Sequence, residues 1–319
     1  MKGFLFDPTY GGMLYFVPLI ILFPAQISFY KRVFDVIALF CVFYIIYDIV
    51  FVRDLLSAGD SNSKSLGIVE QSTDLSFPCG FILLTYLYHS NKRIIVAAAA
   101  LFLTLLFATI RARRGLILMA STMVLFAYLV YFFTSKYKLT ALYLSVLLVA
   151  IGAIYYVHLY KPKNNPIFSY ILERGQEDTR TGVELLFYDD MKTTDWIIGR
   201  GINGEYFAPG IEEYQVTNYR DVIETGYLQT ILKGGIISLA LFLLIAIPAI
   251  INGLFFSKNL LSKASAIWIF WVVMSMYPAV TISFTLRYVL VWIAIGICYS
   301  KDIRNMSNDY IKEHLSTNT

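Results

Sequence analysis

The side chains with the most chemistry to offer are a set of arginines and one glutamate. Arg111, Arg113 and Arg114 crowd into ATIRARRG, Ala108 to Gly115, while Arg174, Arg180, Arg200 and Arg220 are spread through a polar block from Tyr160 to Thr225 that ends at Glu224. Guanidinium is always charged, planar and suited to bidentate contact with phosphate or carboxylate oxygens. If the chain is helical through the first cluster, Arg111 and Arg114 share one face and Arg113 points elsewhere. Two guanidiniums on one face make a clamp for phosphate. Arg180 and Glu184 stand four apart, which suits either an ordinary helical ion pair or an arginine reserved for a site. Glu224 has two readings as well: a carboxylate favoured by a helix N-terminus, or a general base. His89, His158 and His314 are far apart and have no cysteine or histidine neighbours at metal-ligand spacing, so neither a metal site nor a cofactor is expected.

The elements that must position these groups are membrane helices. The chain is 58% hydrophobic and 15% charged, more apolar than a water-soluble core can hide. Windows long enough for a hydrocarbon core of roughly 30 Å give nine candidate spans. They are Met13 to Tyr30, Val33 to Val52, Leu75 to Ser90, Ile94 to Ile110, Gly115 to Phe133, Leu139 to Leu159, Ile236 to Phe256, Ala264 to Ile282 and Thr285 to Tyr299. Backbone amides in lipid must be satisfied within the segment, so the expected fold is an all-α polytopic bundle. Residues 1–159 carry six helices, 160–225 one large loop with short helices, 226–299 three more helices, and 300–319 a tail. The first apolar run lacks a small-residue cleavage site and leads into further helices, so it reads as a span rather than a cleaved leader. Cys41, Cys79 and Cys298 all fall in apolar segments and read as small buried residues.

Basic residues set the expected orientation. Placing Lys31 and Arg32 on the cytoplasmic side puts Lys92, Arg93, Lys136, Lys138, Lys258, Lys263, Lys301, Arg304 and Lys312 there too, as the positive-inside bias favours. The loop, with seven basic against twelve acidic residues, then faces outward. Arg111, Arg113 and Arg114 break the pattern on the outer side, where a triple arginine is kept for a purpose or marks a re-entrant neighbour.

Within the loop, Gly199, Gly201 and Gly204 spell GxGxxG, but no βαβ unit surrounds them, and a turn needing positive φ is the better account. Val183, Leu186, Phe187 and Met191 recur at helical spacing, predicting a short amphipathic helix that lies on the membrane surface or caps the bundle. After the turn, Tyr219 to Leu244 reads as an outer helix through Tyr227 and Leu228 to the Gly234-Gly235 pair, which then feeds the next span.

These pieces together resemble the superfamily of O-antigen polymerases and O-antigen ligases, bacterial envelope glycosyltransferases with many membrane helices and one large extracytoplasmic loop late in the chain. ATIRARRG is similar to the family's Ser-Arg-Gly element, with Arg113 in place of the serine, so Arg111, Arg113 and Arg114 all stay candidates for the family arginine. Arg174, Arg180, Trp196 and Gly199 to Gly201 resemble the spaced arginines, aromatic residue and glycine turn of the loop. Glu224 to Leu239, ETGYLQTILKGGIISL, resembles the closing element, in which an acidic residue or histidine precedes a Tyr-Leu helix, here Tyr227-Leu228. Glutamate where ligases carry histidine leans toward polymerase. The resemblance implies a GT-C-like fold in a bacterial inner membrane and a metal-independent transfer from a glycan on undecaprenyl diphosphate. Arg114 and Arg180 would neutralise the leaving diphosphate, with Arg111, Arg113, Arg174, Arg200, Arg220 and Tyr227 binding substrate and Glu224 as base. It also implies the bilayer and a chain-length regulator as partners, and no nucleic acid. Alternatives are an O-antigen ligase acting on lipid A-core, a lipid-linked oligosaccharide flippase or other transporter, and a non-catalytic assembly protein; Asp35 and Asp48 lie nearer the ends of their span than a midplane relay requires.

The orientation is testable directly. With the chain's own cysteines replaced by alanine, a cysteine at Asn164 should react with a membrane-impermeant thiol reagent in intact spheroplasts, and labelling seen only after lysis overturns the outward loop.

Overall fold

The computed structural model describes residues 12–22, 26–56, 74–111, 113–138, 143, 180–210, 218–280 and 282–316. The expected span Leu139 to Leu159, and Arg174 with most of the loop before Arg180, lie outside them. The chain divides into two units, residues 1–33 with 178–319 and residues 34–177.

The described helices are α1 (Ile27–Val50), α2 (Val52–Leu56), α3 (Cys79–Leu84), α4 (Asn91–Ile110), α5 (Arg114–Thr134), α6 (Thr181–Asp190), α7 (Thr193–Ile198), α8 (Gly226–Phe255), α9 (Leu260–Ser275), α10 (Leu286–Tyr299), α11 (Lys301–Asn305) and α12 (Asn308–Ser316). A 3-10 helix, Gly12–Leu22, precedes them, and β1 (Tyr206–Phe207) pairs antiparallel with β2 (Tyr219–Arg220). Four helices, α1, α4, α5 and α8, are long and apolar enough to cross a membrane.

In the 34–177 unit, α1 and α4 run parallel and in register. Arg93 at the start of α4 forms an ion pair with Asp35 near the start of α1. Further along, Thr104 Oγ1 donates to Tyr44 Oη at 2.9 Å, and beyond that Leu55 packs on Phe107. Parallel neighbours need a return crossing between them, and residues 74–88 supply it. That return is bent: Pro78 caps α3, Thr85 ends it by donating its hydroxyl to Phe81 O at 2.6 Å, and a 3-10 turn, Tyr86–Tyr88, follows. α5 runs alongside in the same sense, with Gly80 against Met123 and Tyr86 Oη bonded to Thr134 Oγ1 at 2.9 Å. Lys92, Arg93, Lys136 and Lys138 therefore share one end of this unit, while Arg53, Arg111, Arg113 and Arg114 share the other. That sorting matches the expected alternation of basic flanks.

Two expectations need correction. Met13 to Tyr30 is not one helix: a 3-10 helix holding Pro18 occupies Gly12–Leu22, and α1 starts only at Ile27. Cys41 and Cys79 are joined as a disulfide across α1 and α3, with Cα atoms 5.9 Å apart, where Phe34 stacks on Phe81. Cys298 fits its expectation as a buried thiol.

In the other unit, α8, α9 and α10 form an antiparallel bundle. Gly253 of α8 lies against Ser262 and Ala266 of α9 and Cys298 of α10 at one end, and Phe242 meets Trp292 midway. At the other end, Gly226 faces the carbonyls of Met276 and Ala279. Below Gly253, Asn259 caps α9 by accepting from Ser262 N and clasps the tail by donating to Ile303 O at 2.6 Å and Met306 O at 3.1 Å.

α8 is two helices joined at Gly235, whose φ of 67° and ψ of -178° is a conformation that only glycine adopts readily. The second part, Ile236 to Phe255, is about 30 Å long at the usual rise, one hydrocarbon thickness. The break takes Leu232 O and Lys233 O out of the helical ladder. Arg200 N (2.7 Å) and Gly201 N (3.1 Å) donate to them instead. The glycine turn and the glycine pair are thus two halves of one clasp. A Cβ on Gly235 would lie 2.0 Å from Ile197 O, and one on Gly199 (φ 74°) would lie 2.5 Å from Gly234 N.

The clasp predicts unequal glycine sensitivities. Gly235→Ala combines a forbidden φ with a backbone collision and should cost at least about 3 kcal/mol, whereas Gly201→Ala, at φ 81° in open space, should cost about 1 to 2 kcal/mol. Thermal unfolding in detergent compares them; equal losses would mean the clasp is not what holds the loop.

Candidate functional site

The polar end of this bundle carries the loop, and α6 does most of the positioning. Val183, Phe187 and the following Met191 fall on one stripe and bury with Tyr206, Ala208, Ile223, Leu228, Ile231 and Leu232. The amphipathic helix expected from the sequence thus caps the bundle by packing on the first part of α8. The adjoining stripe of α6, offset by one residue, presents Arg180, Glu184 and Tyr188.

Each member of that stripe is held from outside α6. Arg180 Nη2 donates to Pro278 O at 2.8 Å, just past the end of α9. Glu184 accepts a hydrogen bond from the hydroxyl of Thr225, a residue 1% exposed at the start of α8. Tyr188 stacks on Trp196 with ring centroids 5.8 Å apart, and burial followed by the charge of Glu184 raises its hydroxyl pKa. Tyr227 is in the first turn of α8, where the preceding Gly226 faces the carbonyls of Met276 and Ala279, on either side of Tyr277. Arg180, Glu184 and Tyr188 thus lie along one stripe tethered to the start of α8, which carries Tyr227, and to the segment past α9, which carries Tyr277; Tyr188 and Tyr277 are open to solvent. The i,i+4 ion pair anticipated for Arg180 and Glu184 gives way to separate tethers on α9 and α8.

Other sequence candidates fall elsewhere. Arg200 is a strut: it donates to Asp195 Oδ2 at 2.9 Å, to Glu205 O at 2.7 Å, and to the carboxylate and carbonyl of Asp190. Expected from the sequence to bind substrate, it here ties α6, α7 and β1 together, and those bonds occupy its fork. Arg220 lies 3.7 Å from Glu224, whose side chain is 50% exposed. The segment between them is pinned by Gln229, which accepts from Ile223 N at 2.8 Å and donates to Asp221 O at 3.2 Å. Arg111 and Arg114 do not share a helical face. Arg111 caps the C-terminus of α4 and is 4% exposed, the chain breaks, and Arg114 opens α5 at the surface with Arg113 as its N-cap. Reading the sequence for loop chemistry also passes over Tyr188, Tyr277 and Arg287. Arg287 is 5% exposed at the start of α10 and donates to Val280 O at 3.2 Å. A lone arginine within an apolar run was the available signal for it.

Comparison of the chain with protein-family models, with curated proteins and with solved structures finds no match.

The Arg200 strut has a pH signature. Burial works against ionised Asp190, but the Arg200 hydrogen bond, the Phe207 N–H and the Arg200 charge outweigh it and hold the carboxyl below its usual value; Asp195 is lowered in the same way, by Arg200 and the Lys192 N–H. Groups with lowered folded pKa stabilise fully above their unfolded value, about 3.9, and lose that contribution as pH falls through the folded value. Asp190→Asn should cost about 1 to 3 kcal/mol at pH 7 and flatten the loss of stability below pH ~4. An unchanged acid limb in this variant would remove Asp190 from the linkage.

Proposed function

We propose that this protein is a polysaccharide polymerase of the O-antigen type, joining oligosaccharide repeat units carried on undecaprenyl diphosphate at the outer face of a bacterial inner membrane. The observation that carries the reading is the Arg180 and Glu184 stripe tethered at the polar end of an apolar helical bundle. A lipid diphosphate has its phosphates at the boundary between hydrocarbon and water, so a protein acting on it wants a fixed cation at the end of a membrane helix bundle. Arg180 meets that need from a helix anchored to both α8 and α9. Activation already resides in the sugar-diphosphate bond, and the enzyme's share is to orient an acceptor hydroxyl and to stabilise charge as the diphosphate departs. Phenol rings beside the cation suit sugar rings, which stack on aromatic faces.

Deleting the gene should leave surface glycan as single repeat units on gels. Unattached long polymer would point to a ligase instead, and lipid-linked repeats retained in the cytoplasm to a flippase. Within the polymerase reading, Arg180→Ala should lower the extension rate by about 100- to 1,000-fold, the scale for removing one well-placed donor to developing negative charge. Arg180→Lys keeps the charge but loses the planar fork and should retain an intermediate rate. Wild-type chain lengths in Arg180→Ala, at normal expression, would take this residue out of the site.

A further inference from the structure

We infer that Glu184 is the carboxylate that deprotonates the acceptor, and that Tyr188, Tyr227 and Tyr277 form the subsite for the acceptor's terminal sugar. This rests on the polymerase reading above and assigns the residue that reading leaves open.

Geometry distinguishes Glu184 from Glu224. Glu224 stands half exposed at the loop edge with Arg220 3.7 Å away. Glu184 is partly buried, lies one turn before Tyr188 on the same stripe and is oriented by a second group, the hydroxyl of Thr225 at the start of the helix that carries Tyr227, as bases in catalytic pairs are. One turn back on the same stripe is Arg180. Residues four apart on a helix have Cβ atoms roughly 6 Å apart, which leaves room for an anomeric centre between base and cation. Trp196 braces one face of Tyr188, fixing the ring's plane. Tyr227 and Tyr277 come from α8 and from just past α9, so the subsite is assembled by the bundle rather than by the loop alone.

The step balances as an ordinary displacement. A hydroxyl of the acceptor sugar gives its proton to the Glu184 carboxylate while its oxygen bonds to the anomeric carbon of the donor glycan. The bond from that carbon to the diphosphate oxygen breaks, and the electron pair leaves on the lipid diphosphate, whose charge Arg180 offsets. The proton then passes from Glu184 to water.

The test uses the full-length chain in detergent or vesicles, with lipid-linked repeat units extracted from the deletion strain as both donor and acceptor. Glu184→Gln keeps an oxygen to accept from Thr225, so the local fold survives while the base is lost. Extension should fall at least about 100-fold, the low end for general-base removal. Glu224→Gln should stay within threefold of wild type. Tyr277→Ala, at an exposed position, should raise the concentration of repeat unit needed for half-maximal rate several-fold with a smaller effect on the maximal rate. Near wild-type extension by Glu184→Gln, or a 100-fold loss in Glu224→Gln alone, overturns the assignment of the base while leaving the polymerase reading in place. Failure of the wild-type chain to extend the units, with unchanged surface glycan in the deletion strain, overturns both.

Discussion

A membrane helix that stops being helical within its length leaves carbonyl groups without their usual donors, and each needs another one. At Gly235 two such carbonyls, those of Leu232 and Lys233, are met by the amides of Arg200 and Gly201. Lys233 closes the contact from its own side by donating Nζ to Gly204 O at 2.9 Å. Backbone lies on backbone here, with Gly199 against Gly234 and Gly235 against Ile197, which is why glycines occupy both sides. Once the turn is fixed, the Arg200 side chain fixes the rest, since its bonds reach the last residue of α6, the first turn of α7 and the residue before β1. The segment from α6 to β1 is tied to α8 because both are parts of one hydrogen-bonded junction.

That junction bears on the neighbouring stripe of α6. A ten-residue helix is marginal alone, so its orientation must come from packing. Val183 and Phe187 sink into the core formed with Leu228, Ile231 and Leu232, and the one-residue offset then leaves Arg180, Glu184 and Tyr188 at its edge. Pro278 and Thr225 add polar tethers from two different helices. Small errors in placing charge near a reacting centre cost large factors in rate, and three independent restraints on one short helix limit such errors.

Much of this was legible in order along the chain. The Gly234-Gly235 break and the turn at Gly199 to Gly201 follow from glycine placement, and the burial of Val183, Phe187 and Met191 follows from period. What the sequence does not carry is partnership. Arg200 and Arg180 look alike as charged loop residues, but one is consumed by Asp190 and Asp195 and the other is turned to Pro278, 98 residues away in sequence. Tyr277 comes to the start of α8 only through the packing of α9 on α8, which no local pattern encodes. The change of helix type within Met13 to Tyr30 is hidden from hydropathy windows for a related reason: they count apolar side chains and not the backbone's hydrogen-bonding pattern.

The arginine cluster at the end of the 34–177 unit divides along similar lines. Arg111 caps the C-terminus of α4, where the helix dipole favours a cation, so a structural explanation suffices for it. Arg113 and Arg114 stand at the N-terminus of α5, where a positive charge is opposed by the dipole, each at a cost of about 0.3 to 1 kcal/mol. With Lys92, Arg93, Lys136 and Lys138 on the cytoplasmic side, as the positive-inside bias favours, Arg111, Arg113 and Arg114 at the opposite end all stand against that bias. The positive-inside bias thus acts against all three arginines, whereas the helix dipole acts against Arg113 and Arg114 and spares Arg111. A charge placed against both is explained neither by its helix nor by membrane insertion, which makes Arg114, exposed and first in its helix, the member of the triplet most in need of a functional explanation.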